Sequence, residues 1–222
     1  MIDTVIFDLD GTLLNTLEDL TDSVNYVMAQ YGLSAHTIEE IRSFVGNGAA
    51  KLIERSVPQG RQNPLYEEML ETFRGHYAAH CEDKVAPYEG VMELLASLQK
   101  EGYRMAIVSN KPDKAVKLLK DKFFQGYVEE AIGENAQIQR KPAPDMVYRA
   151  LEELSSDASH AVYVGDSEVD LQTAGNVPMK CISVTWGFRT VEQLTAAGAA
   201  QEHMVKSPQE LISYLVRLRQ EG

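Results

Sequence analysis

The chain has 222 residues, 44% of them hydrophobic and 24% charged. That balance excludes a disordered chain and leaves room for one large α/β domain, or a domain with a smaller companion. A formal net charge of -12 excludes general binding to nucleic acid or to an anionic membrane, and an anionic substrate would need local cationic help.

The first element is a strand. Val5, Ile6 and Phe7 form an apolar run of the kind covered on both faces of a parallel sheet. Asp8 and Asp10 end that strand at i and i+2, so alternation points both carboxylates the same way, and their mutual repulsion calls for a cation. Helical spacing follows in Leu17, Leu20, Val24, Val27 and Met28, stopping at Tyr31-Gly32. A second helix is expected over 36–45, with Thr37 as N-cap and Glu40 completing a capping box. Gly46, Asn47 and Gly48 break the chain before a third helix over 49–57; 58–64 reads as a loop and 65–81 as a fourth helix. From about 16 to 84 the pattern gives helices and no strand.

From Pro87 the rhythm alternates. Helices are expected over 90–102, 112–123, 144–154, 168–175 and 207–219, and strands over 104–110, 127–133, 161–166 and 180–186. Strands alternating with helices predict an α/β fold, a doubly wound parallel sheet. Its expected extent is 1–15 and 85–222, with a small helical domain inserted at 16–84, directly after a strand end that carries carboxylates. No internal repeat or low-complexity tract is present.

In such a sheet, ligands bind beyond the carboxyl ends of the strands. Those ends collect Asp8, Asp10, Gly11 and Thr12; Ser109, Asn110 and Lys111; Lys141 in RKPAPD; and Asp166, Ser167 and Asp170. Several carboxylates without His or Cys suit a hard divalent cation, Mg²⁺ beside a phosphate. Lysine and hydroxyls suit phosphoryl oxygens. One carboxylate can attack phosphorus, and a second, its pKa raised by the first, can move the proton.

Taken in order, DLDGTLLNT, SNK, KPAPD and GDSEVD resemble the haloacid dehalogenase superfamily of phosphohydrolases, from about Asp3 to Leu218. The 16–84 insertion matches that family's helical cap. The resemblance implies an Mg²⁺-dependent phosphatase acting on a small phosphorylated metabolite. Asp8 would be the nucleophile and a metal ligand, and Asp10 the acid/base, offering its main-chain carbonyl to the metal. Thr12 would orient Asp10. Ser109, Asn110 and Lys141 would hold phosphate, Asp166 the metal, and Asp170 would act from behind on a metal-bound water or on Lys141. Asn15 departs from the pattern, where relatives often carry Asp, which bears on cap closure.

Within the superfamily, the segments FVGNGAAKLIERS, VSNKP and TWGFRTVEQLTAAGA look like those of bacterial phosphoglycolate phosphatases. That likeness implies cap contacts to substrate from Gly46, Asn47, Gly48, Lys51 and Arg55. Rival readings are a phosphomutase of the β-phosphoglucomutase type, a pyrophosphatase, sugar-phosphate or nucleotide phosphatase, and a non-catalytic binding protein on the same scaffold. Oligomeric state is not legible.

Lys111 reads either as a first-turn surface lysine or as a substrate contact. His76 and His80, four apart, read as a plain helix face ahead of a metal pair. Lys114, Lys117, Lys120 and Lys122 read as a solvated face, and Cys81 and Cys181 as inert small hydrophobes. For Trp186, Phe188 and Arg189, ordinary loop packing stands beside packing near the cap hinge.

Overall fold

The computed structural model describes residues 1–221. In chain order the strands are β1 (Thr4–Phe7), β2 (Leu14–Asn15), β3 (Ala86–Pro87), β4 (Arg104–Pro112), β5 (Glu130–Glu134), β6 (Ala161–Gly165), β7 (Lys180–Val184) and β8 (Met204–Val205). The helices between β2 and β3 are α1 (Leu17–Gln30), α2 (Ile38–Phe44), α3 (Gly48–Ser56) and α4 (Tyr66–His80). After β3 come α5 (Val91–Lys100), α6 (Asp113–Phe123), α7 (Asp145–Glu153), α8 (Glu168–Asn176), α9 (Val191–Ala196) and α10 (Pro208–Glu221). The described residues fall into two compact units, one of 1–14 together with the chain from Pro87 onward, the other of 15–86.

The first unit is built on a six-stranded sheet in the order β5-β4-β1-β6-β7-β8, with every pairing parallel. β1 lies between β4 and β6, Thr4 opposite Arg104 and Ala161, Phe7 opposite Ile107 and Val164. Its four residues are buried, as a central parallel strand requires. The chain builds outward from β1 through β4 to β5, then returns to the other side for β6, β7 and β8. The strand order therefore reverses at β1, and the crevice beyond its carboxyl end is the topological switch point where ligands bind in such sheets. One face of the sheet is closed by Ile6, Val108, Tyr163, Met146, Val147 and Leu151, all buried. β2 and β3 form a separate two-stranded sheet.

In the second unit, α1 packs on α4, and α3 on α4 and α2. The buried stripe of α1 (Leu17, Leu20, Val24, Val27, Met28) is the one its spacing predicts. The capping box at Thr37 and Glu40 is present at the start of α2. Buried Asp19 accepts hydrogen bonds from the Lys84 and Val85 amides at 3.0 and 3.1 Å, tying the two ends of this unit together. Asn15 Oδ1 accepts from the Leu17 amide (3.3 Å). Among the described residues, no helix is long and apolar enough to cross a membrane.

Candidate active site

β1 stops at Phe7, before either aspartate, so strand alternation does not orient Asp8 and Asp10. One further rung holds Asp8, whose amide donates to the Val164 carbonyl (2.8 Å). The chain then folds into a tight loop in which the Leu9 carbonyl accepts from the amides of Thr12, Leu13 and Leu14. Gly11 turns it at φ 88°, a left-handed value that a side chain resists. There is also no room for one, since a Cβ at Gly11 would collide with the Asp166 carboxylate.

β4 brings Ser109, Asn110 and Lys111 to the same edge. Its pairing with β5 slips between Val108 and Pro112, an irregularity of the kind that re-aims side chains at sites. The strand runs to Pro112, which caps α6 from outside instead of forming its first residue. Ser109 Oγ donates to Asp10 Oδ2 (3.4 Å) and accepts from the Lys111 amide (3.2 Å). Lys111 is 6% exposed, and its ammonium pairs with Asp10 Oδ1 at 2.7 Å. The sequence left it between a surface lysine and a substrate contact; the structure buries it against Asp10. Asn110 Nδ2 donates to the Lys141 carbonyl (2.9 Å), joining the β4 loop to the lysine's own segment.

Lys141, 3% exposed, is the hub. Its ammonium donates to Asp8 Oδ1 (2.7 Å), Asp170 Oδ1 (2.8 Å) and the Tyr163 hydroxyl (2.9 Å). Burial opposes that charge, but the carboxylates of Asp170 and Asp8 outweigh it and hold Lys141 protonated well above its usual range. Tyr163, centred in β6, donates onward to Asp170 Oδ1 (3.1 Å). Asp170 works at both oxygens. Its Oδ2 accepts from the Ser167 amide and hydroxyl (3.1 and 2.6 Å), capping α8, while Oδ1 faces the lysine. Gly165 leaves the space this needs, since a Cβ there would come within 2.6 Å of Asp170 Oδ2.

Asp166, the last acid, is wrapped by a segment whose packing the sequence left open. The Phe188 amide donates to Asp166 Oδ2 (2.6 Å), the Trp186 indole donates to the Thr12 carbonyl (3.0 Å), and Arg189 is buried against Glu168. Their partners lie up to 174 residues away in sequence, so no local pattern could disclose them. Thr12 Oγ1 and Asn110 Oδ1 are buried without a hydrogen-bond partner, so no hydrogen bond from the Thr12 hydroxyl orients Asp10 here.

Asp8, Asp166 and Asp170 each offer an oxygen within 4.8 Å of the others. Burial first, then neighbouring carboxylates, pushes Asp8 up to about 7 against the pull of Lys141, and Asp166 well above the carboxylate range. Three buried acids around one lysine are short of positive charge, and Asp170 has both oxygens committed. Asp8 Oδ2 and Asp166 Oδ1 accept no hydrogen bond among the described residues. An oxygen-only donor set short of positive charge fits a hard divalent cation such as Mg²⁺.

The remaining expected contacts lie in the 15–86 unit. Gly46, Asn47 and Gly48 take positive φ in succession (112°, 64°, 79°) at the start of α3. Lys51 pairs with Glu54 (2.6 Å), and Arg55 donates to the Phe44 carbonyl (2.7 Å). The His76 and His80 rings stack 4.3 Å apart, with their Nδ1 atoms hydrogen-bonded to Ser23 and Asp83 respectively. Among the described residues, they join no cluster of three metal-ligating groups.

An acid loop and a buried lysine at the switch point of a parallel sheet define a hydrolase of the phosphoryl-transfer type, and comparison with known proteins places it. Residues 5–184 match the model of the haloacid dehalogenase-like hydrolases, and the chain belongs to that family. It is a phosphatase, a phosphoric monoester hydrolase. A phosphoglycolate phosphatase of Pseudomonas savastanoi pv. phaseolicola is 36% identical over 190 residues, covering 83% of this chain and 70% of the relative. One of Mesorhizobium japonicum is 33% identical over 188 residues, covering 83% of each. A crystal structure from Lactobacillus delbrueckii subsp. bulgaricus superposes with a TM-score of 0.90 at 35% identity, covering 96% of this chain and 97% of that one. That of CbbY from Rhodobacter sphaeroides, in complex with phosphate, superposes with a TM-score of 0.77 at 25% identity, covering 95% and 96%.

Proposed function

We propose that the enzyme is an Mg²⁺-dependent phosphatase of a small phosphomonoester, phosphoglycolate or a close analogue, working through an aspartyl-phosphate on Asp8. The observation that carries this reading is the state of Asp8, one oxygen gripped by buried Lys141 and the other without a protein partner. Such a carboxylate is held in place yet open to attack an electrophile.

In the first half-reaction, Asp8 Oδ2 forms a bond to phosphorus as the bond to the substrate's ester oxygen breaks. Asp10 gives that leaving oxygen a proton. In the second, Asp10 takes a proton from water, the water oxygen attacks phosphorus, and the acyl-phosphate bond breaks to return Asp8 and inorganic phosphate. Ser109, Asn110, Thr12 and Lys141 hold the non-bridging oxygens through both steps. Asp166, the Asp10 carbonyl and the Asp8 oxygen not used in attack would hold the cation, which when bound offsets phosphoryl charge. Asp170 keeps Lys141 charged and placed. The 15–86 unit serves as the cap, with Gly46, Asn47, Gly48, Lys51 and Arg55 toward the substrate's second anionic group. The support for that last step is the name of the curated relatives.

The test is Asp8→Asn, which keeps size and hydrogen bonding but cannot form the acyl-phosphate. With folding checked by circular dichroism, kcat is expected to fall by ~10³-fold or more. Hydroxylamine trapping of phosphorylated enzyme is expected in the wild type alone. Normal turnover by the variant overturns the mechanism. Among phosphate esters, the highest kcat/KM is expected for 2-phosphoglycolate.

A further inference from the structure

The ion pair between buried Arg189 and partly exposed Glu168 has no place in that chemistry, yet its geometry is specific. Arg189 is 8% exposed, and its Nε and Nη2 meet Glu168 Oε2 and Oε1 at 2.8 and 3.2 Å, a two-point fork. Burial opposes the guanidinium charge, and Glu168 more than compensates. Glu168 opens α8, two residues beyond Asp166; Arg189 follows Phe188, whose amide holds Asp166 Oδ2.

The two segments are therefore joined by two rungs. The inner rung is the Phe188 amide on Asp166, the outer rung the guanidinium on Glu168. Between them Gly187 passes so close to Asp166 that any Cβ there would strike the carboxylate and the Gly11 carbonyl. Trp186 fastens the other end of the segment to the loop after β1. Asp166 Oδ2 is occupied by an amide, and its Oδ1 is left as the acceptor.

We propose that Arg189, through its fork to Glu168, is a positioning residue for the metal site, fixing the 186–189 segment so that Asp166 presents one oxygen to the cation. The inference rests on the functional reading above. It assigns the pair to cation affinity because Arg189 directly follows the residue whose amide holds Asp166, and Glu168 lies two residues beyond that acid. Groups that orient metal ligands in this way typically change metal affinity ~10- to 100-fold when removed.

The experiment is calorimetric titration of Mg²⁺ into the full-length wild type, Arg189→Met and Glu168→Gln, with melting temperatures to establish folding. Mg²⁺ Kd is expected to rise ~10-fold or more in both variants. Kinetically, the Mg²⁺ concentration for half-maximal rate should rise by the same factor, while kcat at saturating Mg²⁺ falls less than ~3-fold. Glu168→Gln leaves a neutral acceptor for the guanidinium, so it decides the matter if Arg189→Met does not fold. Unchanged Mg²⁺ affinity in a folded variant overturns the proposal, and so does a fall in kcat that saturating Mg²⁺ does not restore. A wild type that binds no Mg²⁺ overturns the functional reading itself, and this inference with it.

Discussion

Lys141 carries three hydrogen bonds and a charge that burial disfavours, so each partner can be weighed separately. The two carboxylates supply the charge that keeps it protonated. The Tyr163 hydroxyl supplies direction, accepting from the ammonium and donating to Asp170. Burial raises that phenol well above its usual range, so it is protonated and a donor at neutral pH. In Tyr163→Phe the ring volume stays and both carboxylates remain on the lysine. The expected cost is ~1 kcal/mol of stability, a melting shift of roughly 2–4 °C, and a fall in kcat below ~10-fold. Lys141→Met instead leaves buried acids facing one another, with an expected loss of ~3–5 kcal/mol and of turnover. Thermal melts and steady-state rates on both variants check this. Equal damage from both would mean that the hydroxyl takes part in proton movement.

The strand ends turn a buried sheet into a site, and they do so by departing from regular geometry. β4 slips against β5 just where Ser109, Asn110 and Lys111 stand, and the slip is fitted to Gly133 in β5. A Cβ at Gly133 would come within 2.7 Å of the Asp113 amide nitrogen and the Lys111 carbonyl, which are backbone atoms with nowhere to go. Gly133→Ala is therefore expected to cost ~1–3 kcal/mol and to lower kcat/KM by moving the Lys111 segment. A variant that melts and turns over like the wild type contradicts the close fit. The same element shows what the sequence discloses. Hydrophobic runs located β1, β4, β6 and β7, and helical spacing located α1 to α8 and α10, because each buries a periodic face. The two-residue β8 and the six-residue α9 offer no such period. Asp8, Asp10, Lys141 and Asp166 were legible as charges set at strand ends. Tyr163 read only as part of the strand over 161–166, and Arg189 as loop packing or packing near the cap hinge, because their contacts depend on partners brought together by the sheet.

At the scale of the molecule, an acidic chain with a net charge of -12 concentrates three buried carboxylates in one place. Without a cation this arrangement is a liability that grows with pH. Burial raises the Asp8 carboxyl from an ordinary 3.8 to about 7, so the folded state prefers it protonated more strongly than the unfolded state does. Its contribution to stability is then full below about pH 4 and is lost as pH rises through about 7. The Asp166 carboxyl, raised in the same direction, extends that loss to higher pH. A divalent cation binds the deprotonated acids, so its binding releases protons and strengthens as pH rises. Mg²⁺ is therefore expected to raise the melting temperature more at pH 8 than at pH 5.5, each measured against a chelator control by differential scanning calorimetry. Asp166→Asn should remove most of that pH-dependent increment, and an increment equal at the two pH values would place the cation away from these carboxylates. The same charge deficit that weakens the metal-free fold makes cation binding favourable, so the stability cost and the binding capacity have one source.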